Sequence, residues 1–248
     1  MKDSRPMRWF VALMLPFFLW PSVASGATEQ LPDLTARRLT DISTKTNGSG
    51  QRQLRFSSVV GNLGSGPFQV TGSRSSASET EMTNVTQQIF NDEGDISGSV
   101  STGATMFFAG DGHSHWHVRD LETFELVRTD NGVLNGTGEK HGFCFYDIVK
   151  VNLSLPNAPQ NPLYTNCGGS SDLQVEMGLS IGWGDRYHYS VPDQYIDITG
   201  LISGRYRMIY RVDVPNWFVE ENEGNNKSCV TLQIRNKSVS VIDYSCTS

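Results

Sequence analysis

Apolar and polar residues alternate along several short stretches of this chain. Leu54-Arg-Phe56-Ser-Ser58-Val-Val60 is one. Phe124-Glu-Leu126, Tyr206-Arg-Met208-Ile-Tyr210-Arg-Val212 and Val230-Thr-Leu232-Gln-Ile234 are others. Successive side chains of extended backbone point to opposite faces, so such runs, bounded by Gly, Asn, Asp and Pro clusters, predict half-buried strands. Several of them, with no long stretch of 3.6-residue periodicity, predict an all-β fold, a β-sandwich with long loops. Residues 71–84, rich in Ser, Thr and Gly, read as a loop, and so does the Pro- and Asn-rich stretch 152–172. A loop that long in a compact domain is often functional.

The first residues follow a different pattern. Lys2, Arg5 and Arg8 precede an apolar run of twelve from Trp9 to Trp20, and Ala24-Ser-Gly-Ala27 then offers a small-residue cleavage site. This predicts a secretory signal over residues 1–26, too short to span a bilayer. Pro16 and Pro21 argue against an uncleaved anchor, and no later segment is apolar and long enough to cross a membrane. The remainder, 27–248, shows no repeat or composition shift and reads as one domain. The full chain has 20 Lys+Arg and 26 Asp+Glu; without Lys2, Arg5, Arg8 and Asp3 it keeps 17 and 25, a net charge of −8. That balance argues against nucleic acid as partner. It is compatible with a cationic substrate.

Four cysteines, Cys144, Cys167, Cys229 and Cys246, form an even set without a C-x-x-C. In an exported chain this predicts two disulfides, and of the three pairings Cys144–Cys167 and Cys229–Cys246 close short loops. Six N-x-[ST] sequons begin at Asn47, Asn84, Asn135, Asn152, Asn226 and Asn236. They carry glycans only in a eukaryotic host.

The candidate chemistry is concentrated in Gly112-His-Ser-His-Trp-His-Val118. Three of the five histidines, His113, His115 and His117, fall at every second position. On a strand they would stack along one face, ~6.6 Å apart at Cα for a rise of ~3.3 Å per residue. Three imidazoles suit a first-row metal and leave coordination positions open. Copper there points to oxygen chemistry, zinc to hydrolysis. The plainer reading is a polar strand face or an adventitious metal-binding run. A cupin spacing is also present, His115-x-His117 followed by Glu122, but the later histidines, His141 and His188, do not sit in a cupin setting.

Further segments carry a family resemblance. Together with the histidine run, Gly138-Glu-Lys140-His-Gly-Phe143-Cys144, Gly182-Trp-Gly-Asp185-Arg-Tyr187, Gln194-Tyr-Ile-Asp197-Ile-Thr199, Asn216-Trp-Phe218 and Asn225-Asn226 occur in order. Upstream, Leu31-Pro-Asp33-Leu34 and Leu54-Arg-Phe56-Ser57-Ser58 fit too. The chain resembles, over nearly all of 31–246, the catalytic domain of the lysyl oxidases, secreted copper-dependent amine oxidases. The resemblance implies copper on His113, His115 and His117, and a lysine tyrosylquinone made from Lys140 and Tyr187. It implies oxidation of primary amines, peptidyl lysine or small amines, to aldehyde with release of ammonia and hydrogen peroxide. A self-derived quinone carries the electron transfer while the protein orients it. Asp185, two residues before Tyr187, would share its face and is the candidate base.

The resemblance also implies calcium on Asp33, Leu34 through its carbonyl, Glu220, Asn222, Asn225 and Asn226, an oxygen-rich set suited to that ion. Asn222 stands where such members have Asp. Ser114 replaces a cysteine of animal members, and Phe124 a histidine seven residues after the last copper ligand. Two other functions fit parts of the pattern: a metal-binding or adhesive module that kept the scaffold without turnover, and a zinc hydrolase.

Overall fold

The computed structural model describes residues 27–109 and 114–246. The predicted signal lies outside these residues, as does His113. Among the described residues the chain forms β1 Glu29–Gln30, β2 Leu34–Ala36, β3 Thr40–Thr46, β4 Arg52–Asn62, β5 Phe68–Ser73, β6 Glu81–Met82, β7 Asn84–Asn91, β8 Ile96–Ser101, β9 Met106–Phe108 and β10 Trp116–Arg119. It continues with β11 Glu122–Arg128, β12 Leu134–Thr137, β13 Gly142–Phe143, β14 Val149–Lys150, β15 Gln174–Leu179, β16 Trp183–Tyr187, β17 Tyr195–Asp197, β18 Gly204–Val212, β19 Lys227–Arg235 and β20 Ser238–Asp243. One 3-10 turn, Glu223–Asn225, precedes β19.

The fold is all-β, as the alternation predicts, and its strands pair antiparallel in four sheets. These run β1-β7-β5-β15 with β8 on β7; β13-β10-β9-β6; β12-β11-β18-β19-β20; and β14-β16-β4-β17 with β2 and β3 also on β4. One apolar cluster draws on all four, including Phe56, Phe68, Trp116, Phe124, Phe143 and Tyr210. The β18 alternation is realised directly: Tyr206, Met208, Tyr210 and Val212 are buried and the residues between them are less so.

β4 departs from its pattern. Its polar residues Gln53, Arg55 and Ser57 are buried as well as Leu54 and Phe56. The segment 188–194 roofs its second face. Arg55 donates to the carbonyls of Tyr189 and Val191 at 2.6 Å each, and the Tyr189 amide donates to Ser57 Oγ at 2.9 Å. A polar strand face therefore becomes an internal polar layer beneath a loop.

The loop expected over 71–84 shrinks to 74–80, because Thr71–Ser73 complete β5 and Glu81–Met82 form β6. Gly72 has to be small there: a Cβ would meet Met106 Sδ at 2.5 Å. The stretch 152–172 has no strand, as predicted, yet it is pinned from several sides. Buried Asp147 accepts from the amides of Leu163, Tyr164 and Ser180 and from Ser180 Oγ. Trp183 Nε1 donates to the Pro159 carbonyl. The disulfides Cys144–Cys167 and Cys229–Cys246 are both formed, as the short-loop pairing predicts.

Candidate metal and cofactor centre

The histidine run enters a strand later than its spacing suggests. β10 begins at Trp116, so only His117 lies within it, while His115 sits in the bend before it. The pairing still reaches back one residue, since the Ala109 amide donates to the His115 carbonyl. The long loop anchors this entry: the Trp116 amide donates to the Cys167 carbonyl, and its indole to Gly169. Trp116 and Val118 fill the core while buried His117 faces the other way. The two described imidazoles converge, with Nε2 of His115 and Nε2 of His117 2.9 Å apart. Two ring nitrogens facing one another at that distance share either a proton or one ion with bonds of ~2.0–2.1 Å. Among the described residues no three His, Cys, Asp or Glu side chains are grouped to hold a metal. The donor set thus fits copper through two nitrogens, with His113 the expected third.

β13 lies beside β10 and brings the next motif in. Gly142 is glycine because a Cβ would stand 2.5 Å from His117 Nδ1. Just before it, Lys140 is buried with its Nζ 4.6 Å from the centre of the Tyr187 ring. Just after it, the Cys144 amide donates to Tyr187 Oη at 2.9 Å. Phe143 packs on the same ring at 4.8 Å, and the His117 ring centre is 6.4 Å from it. Lys140, Tyr187, His115 and His117 are therefore brought together from segments 23 or more positions apart.

Asp185 and Tyr187 are both buried on β16, whose Tyr187 pairs with Ser58 of β4. Burial lifts the Asp185 carboxyl well above its ordinary range. Glu122 pushes the same way, while Lys140 and the Arg186 amide oppose it. Above this floor lies a cavity of 260 Å³ lined by His115, Tyr146, Ile148, Arg186, Tyr187 and Val191, among others.

Glu122 is the residue that sequence reading passed over, apart from the cupin spacing. It opens β11 on the inward face, ahead of Phe124 and Leu126, and is 5 % exposed. Tyr210 Oη donates to its Oε1 at 2.5 Å, and its Oε2 is buried without a hydrogen bond. Burial raises its carboxyl to about 7 against the pull of Tyr210, Ser58 and Lys140. The available signal was a carboxylate at an inward position of an alternating strand.

The oxygen-rich set gathers elsewhere. Asn225 Nδ2 donates to both Asp33 oxygens at 2.8 and 2.9 Å, and Asn226 Nδ2 to Glu220 Oε1 and Glu223 Oε2 at 3.1 Å each. The Leu34 amide donates to Glu220 Oε2. Oδ1 of Asn225 and Oδ1 of Asn226 are buried without hydrogen bonds. Burial raises Asp33, Asp213 and Glu223, and takes Glu220 to about 8. Orphaned amide oxygens beside carboxylates that cannot all ionise fit a cation. Asn222 stands apart from this set: it is exposed, and its Oδ1 caps the 3-10 turn by accepting from Gly224. Glu223 and Asp213 join the cluster although no motif marked them.

The family model for lysyl oxidase matches residues 77–246. The chain belongs to the lysyl oxidase family. All three histidines, Lys140, Asp185 and Tyr187 lie within the match. Human lysyl oxidase homolog 3 is 28% identical over 116 residues, 47% of this chain and 14% of that protein. Rat lysyl oxidase homolog 2 is 28% identical over 125 residues, 47% of this chain and 13% of that protein. Zebrafish lysyl oxidase homolog 2A is 25% identical over 141 residues, 54% of this chain and 16% of that protein. This lysyl oxidase-family chain thus matches only a small part of the length of those relatives.

Proposed function

We propose that this chain is a secreted, copper-dependent amine oxidase. It would convert primary amines to aldehydes, with release of ammonia and hydrogen peroxide, through a lysine tyrosylquinone formed from Lys140 and Tyr187. The observation that carries this reading is Lys140 Nζ held 4.6 Å from the Tyr187 ring centre beside two converging imidazoles. Copper on His113, His115 and His117 would supply the dioxygen chemistry that oxidises the ring. The chain's own residues do the rest. The Cys144 amide fixes Tyr187 Oη. Asp185, made more basic by burial, takes the α-proton of the bound amine. Tyr146, Ile148 and Val191 wall the cavity and receive the alkyl part of the substrate, either peptidyl lysine or a small amine. Two disulfides support an oxidising compartment. Residues 27–248 are read as one catalytic domain, since the described strands share one core.

The test is a tryptic mass spectrum of the copper-loaded protein together with a peroxide assay in air. A peptide joining Lys140 to Tyr187, with peroxide formed from a primary amine, is the expected result. Unmodified Lys140 and Tyr187 peptides with no peroxide would leave a metal-binding module.

For the second cluster we propose calcium, held by Asp33, Glu220, Asn225, Asn226 and the Leu34 carbonyl, with Glu223 in place of Asn222. Saturating calcium, at about 100 times its dissociation constant, adds ~2.7 kcal/mol. For a chain of this size that is a rise of roughly 5–10 °C in thermal midpoint. Glu220→Gln is expected to remove the rise. An unchanged midpoint in wild type at millimolar calcium would sink the assignment.

A further inference from the structure

Glu122 is buried in the centre of the fold and the proposed chemistry leaves it without a role. Its backbone surroundings are specific. The Asp120 amide donates to the His141 carbonyl and the Gly138 amide to the Phe124 carbonyl. These two bonds bracket Glu122 on β11 and Lys140 on the facing segment, so the two run side by side. The groups around them come from each neighbouring strand: Asp185 from β16, Tyr210 from β18 and Ser58 from β4. Two buried carboxyls therefore share one buried lysine, Asp185 on the side of the cavity and Glu122 behind it. Tyr210 donates to one oxygen of Glu122, and Ser58 and Lys140 also draw on the carboxylate.

That arrangement becomes a difficulty once Lys140 is modified. A lysine nitrogen bonded to an aromatic ring is no longer basic, and its positive charge disappears. A carboxylate left beside it would be a buried, unpaired charge, which proteins relieve by protonation. We propose that Glu122 is the counter-charge and proton store of Lys140: it balances the ammonium in the unprocessed chain and keeps the proton when that nitrogen bonds to the Tyr187 ring. This rests on the cofactor reading above. The transfer is neutral overall, with ammonium and carboxylate becoming amine and carboxylic acid. The amine then forms a carbon–nitrogen bond to the oxidised ring in place of a ring hydrogen. The ring hydrogen and one nitrogen hydrogen leave as protons, and with the two electrons released they reduce dioxygen to hydrogen peroxide. Glu122 is thus a positioning residue that acts through Lys140, and Asp185 remains the group facing the substrate.

The test uses the full secreted chain. In copper-free protein near pH 8, above the value of about 7 to which burial raises the Glu122 carboxyl beside Lys140, the infrared difference spectrum of Lys140→Met minus wild type is expected to show a protonated-carboxyl band. The band should vanish when Glu122→Gln is added. No band, or one that survives Glu122→Gln and vanishes with Asp185→Asn, overturns the proposal. This arm needs no cofactor, so it stands even if wild type never crosslinks, an outcome that would sink the amine oxidase reading alone. With copper, the crosslinked wild type should carry the same Glu122 band. Glu122→Gln should crosslink about tenfold more slowly at neutral pH, with recovery in Glu122→Asp. Crosslinking of Glu122→Gln at the wild-type rate would also overturn it.

Discussion

Tyr187→Phe is expected to abolish amine oxidation and the Lys140 crosslink while leaving the chain folded. The phenylalanine ring still packs on Phe143 and under Lys140, so volume and the apolar contacts survive. The hydroxyl does not, and a benzene ring without it cannot become an ortho-quinone. The Cys144 amide also loses its acceptor, a cost of about 1 kcal/mol to stability. Peroxide formation should fall at least about 10³-fold, equivalent to ~4 kcal/mol of barrier, and the crosslinked peptide should be absent. Lys140→Met should give the same loss by removing the other partner. Peroxide formation at the wild-type rate in either variant would mean that the oxidising group is not made from this pair.

The largest stability effect is expected at Asp147, far from the ring chemistry in role though not in space. One buried carboxylate accepts the amides of Leu163 and Ser180 at 2.9 Å, that of Tyr164 at 3.2 Å, and Ser180 Oγ at 2.6 Å. Asp147→Ala leaves the Ser180 amide and hydroxyl buried without an acceptor, each costing ~1–3 kcal/mol before relaxation, and frees the part-buried amides of Leu163 and Tyr164 from their anchor. A net loss of about 3–5 kcal/mol is expected, read as a thermal midpoint roughly 10 °C lower. Because the loop it holds also supplies the Cys167 and Gly169 carbonyls to Trp116, copper affinity should weaken in the same variant. A midpoint within a degree of wild type would show that the loop is held by its other anchors.

The outer strands were legible from the chain because one face of each remains wet. In β11 and β18 the alternation reads directly as inside and outside. β4 was legible as a strand but not in its burial, because the cover on its polar face comes from residues 188–194, more than 130 positions away. The histidine run suggested three residues on one strand face. The strand instead starts at Trp116, where pairing with β9 begins, and His115 reaches its neighbour's ring from a bend. Nothing in periodicity brings Lys140 to Tyr187; only the ordered motifs of the family resemblance singled them out. Glu122 was missed for the opposite reason. It belongs to none of the motifs that carry the family resemblance, only to the cupin spacing that was set aside, and its meaning comes from the chain segment laid beside it.

Asn226 opens a glycosylation sequon, and its amide nitrogen is the donor to both Glu220 and Glu223. A eukaryotic secretory pathway attaches the first sugar to that same nitrogen while the chain is still being threaded into the lumen. A chain glycosylated there would carry a bulky, solvated branch on an atom that the native turn buries between two carboxylates. The exposed sequon at Asn135 has no such conflict. A glycan attached at Asn226 would therefore keep the acidic cluster from assembling, a conflict that export from a bacterial host avoids.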